Sequence, residues 1–242
     1  MQMEIQQFID NYREAFTDKA PLPVAFWYSH EPLAPGTGKI GGCLFKVLGG
    51  VMRGTPASLS AETLGCGGGK FYTGFAPMPE RVPNFVSLTE HYKATPDLVR
   101  EGIAAMDVQP APAPWLNFAR IDSLSSFGGV EGLLFLATPD ILSGLAAWAY
   151  FDNNDPSAVS APFGSGCSVT LTAALAENRC GGRRAFIGLF DPSVRKHLPA
   201  GVLGFAVPMS RFREMCAAMR STCLFGTPAW SAIRARIAAS GD

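Results

Sequence analysis

Along the first residues, Ile5, Phe8, Ile9, Tyr12 and Phe16 recur at helical spacing and predict an amphipathic helix over 3–16. An apolar run entered through Pro21 and Pro23 predicts a strand over 22–28. A helix over 43–52 follows Gly41-Gly42, and a strand over 57–64 runs into Gly65-Cys66-Gly67-Gly68-Gly69. Residues 77–83 read as a loop, and Gly67–Lys70 as a plain turn. Thr95-Pro96-Asp97 opens a helix to about 106, with Pro at its first position. The Pro/Ala-rich stretch 109–114 reads as a linker.

A second series follows. It predicts strands over 115–124 and 132–137, then a helix from Thr138-Pro139-Asp140 to 150. A short strand over 159–163 and a helix from Cys167 through 176 come next. A strand over 183–190, a helical turn over 191–197 and a strand over 201–207 lead to a helix from Pro208 to about 220. A last helix spans 228–239. Strands alternate with helices throughout, which favours α/β over the alternative, α+β. The reading is one compact domain over 1–242. Two short features recur across the linker: Thr-Pro-Asp at 95 and 138, and Gly-Cys opening a helix at 43 and 167. They raise the expectation of two related α/β lobes about a pseudo-two-fold axis, with a boundary near 109–114.

Composition sharpens this picture. With 48% hydrophobic and 17% charged residues in 242, the chain is no disordered segment and can bury a core without staples. Twenty basic and 20 acidic residues balance overall. From Arg179 to Arg236, however, ten Lys/Arg stand against Asp191 and Glu214 alone. This basic part is expected to face the acidic remainder, a second copy of the chain in a homo-oligomer, or an anionic ligand. No basic run interleaves with aromatics, so nucleic acid is not an expected partner.

The N-terminal segment has no apolar core of a leader, and the apolar run 141–151 is too short to span a bilayer. A cytoplasmic protein without a membrane partner is expected. In that setting the six Cys are reduced, metal-bound or reactive rather than bridged.

Four cysteines abut glycine: Gly42-Cys43, Gly65-Cys66-Gly67, Gly166-Cys167 and Cys180-Gly181. Glycine lets backbone N–H groups approach a sulfur closely. Cys43 and Cys167 stand at predicted helix N-termini, where the dipole is expected to favour thiolate. No C-x-x-C is present, so a metal site would be assembled from distant loops. The competing reading is that these are small core residues. Cys216 and Cys223 read as core filling, and the three His as surface or capping residues, with His30 the best ligand or base among them.

Several short motifs now fall into an order. They are Pro23-Val24-Ala25, Leu64-Gly65-Cys66-Gly67-Gly68, Pro139-Asp140-Ile141-Leu142, Gly164-Ser165-Gly166-Cys167, Cys180-Gly181-Gly182-Arg183 and Phe205-Ala206-Val207-Pro208. Together, over about residues 20–220, the chain resembles the bacterial and archaeal family called domain of unknown function 169. The resemblance implies that the glycine-flanked cysteines and the Cys-Gly-x-Arg segment are family features. It brings no activity with it. Family members more often carry Gly-Asp-Arg where this chain has Gly181-Gly182-Arg183, which removes a carboxylate there.

Three functions follow from these residues. In the first, Cys43, Cys66, Cys167 and Cys180 ligate zinc or an iron–sulfur cluster for redox or sensing. In the second, a thiolate, Cys66 or Cys167, attacks a small substrate whose anionic group Arg183 or Arg184 holds. In the third, the glycine-rich loops bind a small anion and the cysteines are packing. The expected partner is accordingly a small molecule or a metal.

Overall fold

The computed structural model describes residues 4–240. The first half carries α1 (Ile5–Phe16), β1 (Val24–Ser29), α2 (Leu48–Met52), β2 (Ala57–Leu59), α3 (Gly67–Tyr72), α4 (Val82–Asn84) and α5 (Pro96–Ala104). Met3, the start of the predicted first helix, lies outside the described residues. The second half carries β3 (Trp115–Arg120), β4 (Gly132–Ala137), α6 (Pro139–Tyr150), β5 (Val159–Ser160), α7 (Ala173–Cys180) and β6 (Ala185–Gly188). It ends with α8 (Pro192–Arg195), β7 (Leu203–Pro208), α9 (Met209–Ala218) and α10 (Pro228–Ala239). Two π-helical stretches, Phe85–Thr89 and Ser168–Thr172, abut α4 and α7. Among the described residues, no helix is long and apolar enough to cross a membrane.

The strands form one mixed sheet in the order β2-β3-β1-β4-β7-β6-β5. Every pair is antiparallel except β5 with β6. Helices cover both faces, so the α/β architecture holds. The two halves do not separate into lobes. β1, from before residue 109, is hydrogen-bonded to both β3 and β4, from after residue 114. Residues 109–114 are therefore a connection within one sheet. The paired Thr-Pro-Asp motifs are only similar helix starts: α5 packs on α4 and the π stretch beside it, whereas α6 lies on β4, β5 and β7.

Side-chain alternation sends successive strand residues to opposite faces. Leu133, Phe135 and Ala137 of β4, with Phe205 and Val207 of β7, join one core under α1, α6, α9 and α10. Leu134, Leu136 and Ala206 join a second core under α2, the Ser168–Thr172 stretch, α7 and α8. The first core is aromatic. Phe8, Tyr12, Phe16, Trp148 and Phe212 are fully buried, and Phe8 meets Phe212 edge-on at 5.0 Å. Burying such a side chain stabilises by roughly 1.5–3 kcal/mol. Gly144 of α6 lets the Trp230 and Phe16 rings press against the helix backbone, where any Cβ would overlap them.

Ion pairs tie the basic segment to the rest of the chain. Arg179 pairs with Asp107, Arg184 with Glu177, Arg220 with Glu14, and Arg236 with Asp140. The charge asymmetry thus closes largely within the chain. Arg211, whose side chain is 0% exposed, is gripped by Asp152 and Glu214 and donates to the Ala149 carbonyl at 2.9 Å.

Candidate functional site

The second core carries the chemistry. The Gly67–Lys70 stretch, read from sequence as a plain turn, is the first turn of α3. Cys66 is its N-cap, in extended conformation, and its Sγ accepts the Gly69 N–H at 3.3 Å. A cysteine thus fills a role usually taken by Ser, Thr or Asp. Glycine costs helix propensity, but Gly67 lies too close to Pro79 for a Cβ, and Gly69 is buried against Leu44. Packing overrides propensity here.

Cys43 precedes the 3₁₀ turn Leu44–Val47 that leads into α2. Cys167 is buried at the head of the helical run that passes through Ser168–Thr172 into α7. Three separate segments thus bring Cys43, Cys66 and Cys167 within electrostatic reach of one another. Burial pushes the Cys43 thiol up, and the neighbouring Cys66 and Asp191 add to this; the Phe45 N–H and Lys46 only partly offset it. Burial pushes the Cys167 thiol up further, with Cys43, Cys66 and Asp191 acting in the same direction. The expected lowering by helix N-termini is therefore overturned for both. Desolvation of the charged form outweighs the dipole, and both thiols are protonated at neutral pH.

Sequence reasoning missed two members of this group. Asp191 is the N-cap of α8. Its Oδ1 accepts from the Ser193 N–H at 3.1 Å and from the Ser193 hydroxyl. Its Oδ2 is buried and has no hydrogen-bond partner among the described residues. Just before it, Leu189 holds a left-handed backbone, φ +64°, a strained conformation for a branched residue. The Asp-Pro-Ser sequence signals the cap; the unpartnered oxygen has no sequence signal. Tyr72 is the second. Burial raises its hydroxyl, Cys167 adds to that, and a hydrogen bond with Ser165 opposes it.

Cys180 is not part of this group. It ends the helix that Cys167 begins, and 13 residues at about 1.5 Å each set the two roughly 20 Å apart. Its exposed thiol donates weakly to the Glu177 carbonyl at 3.5 Å. Nor do Arg183 and Arg184 face an open anion site. Arg183 binds Asp152 and Glu214, and Arg184 binds Glu177. Cys216 is buried in the aromatic core, pushed up by burial alone, whereas Cys223 is exposed rather than core filling. Among the described residues, no group of three or more His, Cys, Asp or Glu is arranged to hold a metal ion.

The neighbourhood combines the protonated Cys43 and Cys167 thiols, the Cys66 thiol, the Tyr72 hydroxyl and the Asp191 carboxylate with its one unpartnered oxygen, beside a glycine-rich helix. It can accept a ligand that coordinates sulfur only if the thiols give up protons and draw together. Neither a comparison with curated proteins nor one with solved structures finds a match. A family model does match, over residues 17–218, and includes all four glycine-flanked cysteines. The chain belongs to the family of domain of unknown function 169 (DUF169), described as an uncharacterised ArCR family.

Proposed function

We propose that the protein binds a thiophilic ligand, a metal ion such as zinc or an iron–sulfur cluster, through Cys43, Cys66 and Cys167 in a reducing, cytoplasmic setting. The observation that carries this reading is the convergence of three thiols from separate segments beside an unpartnered buried carboxylate oxygen. The raised Cys43 and Cys167 thiols keep their protons until a cation arrives. A cation reverses the local preference, because a coordinating thiol gives up its proton. The ligand-free arrangement is not a finished centre. Loading therefore requires the Cys43 and Cys66 segments to move toward Cys167.

Anaerobic purification followed by metal analysis and visible absorption tests this. Wild-type protein is expected to retain or take up metal, and Cys66→Ser or Cys167→Ser to lose it. Cys180→Ser is expected to bind like wild type. A wild-type chain that takes up neither zinc nor iron and sulfide during reconstitution overturns the reading.

One observation favours a second reading, a thiol enzyme acting on a small substrate. Cys66 is only half-buried, and its sulfur already accepts a backbone N–H. Alkylation followed by peptide mapping separates the two. Selective labelling of Cys66 in metal-free protein, unaffected by added metal, supports the enzyme.

A further inference from the structure

At the far end of α3, the same face of the sheet holds a cavity of about 80 Å³ that shares Tyr72 with the thiol neighbourhood. Its walls include Tyr28, Tyr72, Leu175, Pro110 and Pro112, with Glu131, Asp107 and Arg179 supplying charge. The cavity is built rather than incidental. Glu131 precedes β4, and its backbone is held by the Phe26 carbonyl at 3.1 Å and the Met209 N–H at 2.9 Å. Its side-chain Oε2 accepts the Tyr28 N–H at 2.8 Å. Among the described residues, Oε1 has no hydrogen-bond partner. Burial holds this carboxyl above its ordinary range.

The opposite wall is fastened at two points. Gly74, at φ +74°, accepts the Ala111 N–H at 2.9 Å, and any side chain there would overlap Gln109 and Ala111. Arg179 donates through one nitrogen to the carbonyl and the carboxylate of Asp107, at 2.9 and 2.8 Å. The connection between the halves is thus a fixed pocket wall.

We propose that this cavity is a second binding site, for a small organic ammonium ion of the size of a short primary amine, with Glu131 Oε1 as its anchor. Charge points to a cation: two carboxylates, Glu131 and Asp107, face one guanidinium, Arg179. The tyrosine rings and the Pro and Leu surfaces suit a short alkyl body and the edge of a cation. Volume sets the size. At about 30 Å³ per water, the space equals two to three waters, enough for a few heavy atoms.

Titration with methylammonium chloride, followed by calorimetry and by backbone amide shifts, tests the proposal, with potassium chloride and sodium acetate as parallel probes. Methylammonium is expected to bind saturably and to move the Tyr28, Gly74 and Ala111 amides. Glu131→Gln, which keeps an acceptor for the Tyr28 N–H, is expected to weaken binding about tenfold or more, as loss of a charge-assisted hydrogen bond implies. The amide shifts need only wild-type protein, so the test survives a poorly folding variant. No saturable binding, shifts confined to other regions, equal binding by Glu131→Gln, or preference for potassium or acetate would each overturn it. None of these outcomes depends on metal at the thiols.

Discussion

The two faces of the sheet are built on different principles. One is covered by α1, α6, α9 and α10, three of them 12 residues long, packed through aromatic rings and sealed by indole hydrogen bonds. Trp148 donates to the Met215 carbonyl at 2.6 Å and Trp230 to the Ala15 carbonyl at 2.9 Å. The other face is covered by short helices, a 3₁₀ turn and a π-helical stretch. It also holds the clustered thiols, the strained Leu189 and the orphaned Asp191 oxygen. π-helical insertions are frequent at functional sites. The aromatic face holds the fold, and the irregular face holds groups that stability alone does not call for.

The largest effects that test this contrast lie on the aromatic face. Trp148→Ala removes a fully buried indole and strands the Met215 carbonyl, so a loss of about 3–5 kcal/mol is expected in urea unfolding. Arg211→Leu is expected to cost about 1–3 kcal/mol, because the Ala149 carbonyl loses its buried donor, while Asp152 and Glu214 keep Arg183 as a partner. By contrast, Cys167→Ala removes one sulfur from the other core and is expected to cost only about 1 kcal/mol. It should nevertheless abolish metal uptake. If Cys167→Ala proves as destabilising as Trp148→Ala, the thiol face is structural and the division fails.

The same division explains what the sequence displays. α6 and α10 follow Thr-Pro starts and match the predicted 138–150 and 228–239 within a residue. The fully apolar β4 matches 132–137. Caps and periodicity are local, and the aromatic face is made of elements they define. At the two edges of the sheet, predicted strands over 57–64 and 159–163 shorten to Ala57–Leu59 and Val159–Ser160. The first is cut by a turn in which Ser60 and Thr63 bond each other. α3 is invisible in sequence because three glycines argue against a helix that tertiary contacts nonetheless enforce. Glycine flanks mark Cys43, Cys66 and Cys167, which the fold places within electrostatic reach of one another. They mark Cys180 equally, though its glycine serves as a left-handed helix C-cap, Gly181 at φ +65°. One local signature thus has two structural origins, which only the fold separates.

The smallest expected effect is a difference of sign in pH dependence between the faces. On the aromatic face, the hydrogen bond from Arg211 holds Asp152 below its ordinary value of 3.8. Its stabilising contribution is present above that value and is lost as pH falls through the lower, folded one. On the other face, burial holds Glu131 above its ordinary 4.5, against the opposing Tyr28 N–H and Arg179. The native state therefore retains a proton that the unfolded chain has released. That contribution is full below 4.5 and is lost as pH rises through the folded value. Urea midpoints measured against pH separate the two. Asp152→Asn is expected to flatten the acid-side loss. Glu131→Gln is expected to gain on wild type as pH rises above 4.5, because the neutral amide has no charge to desolvate. If both substitutions flatten the same limb of the profile, the two carboxyls share one kind of environment. The pocket around Glu131 would then be a solvated surface cleft, without the desolvated anchor that an ammonium ion requires.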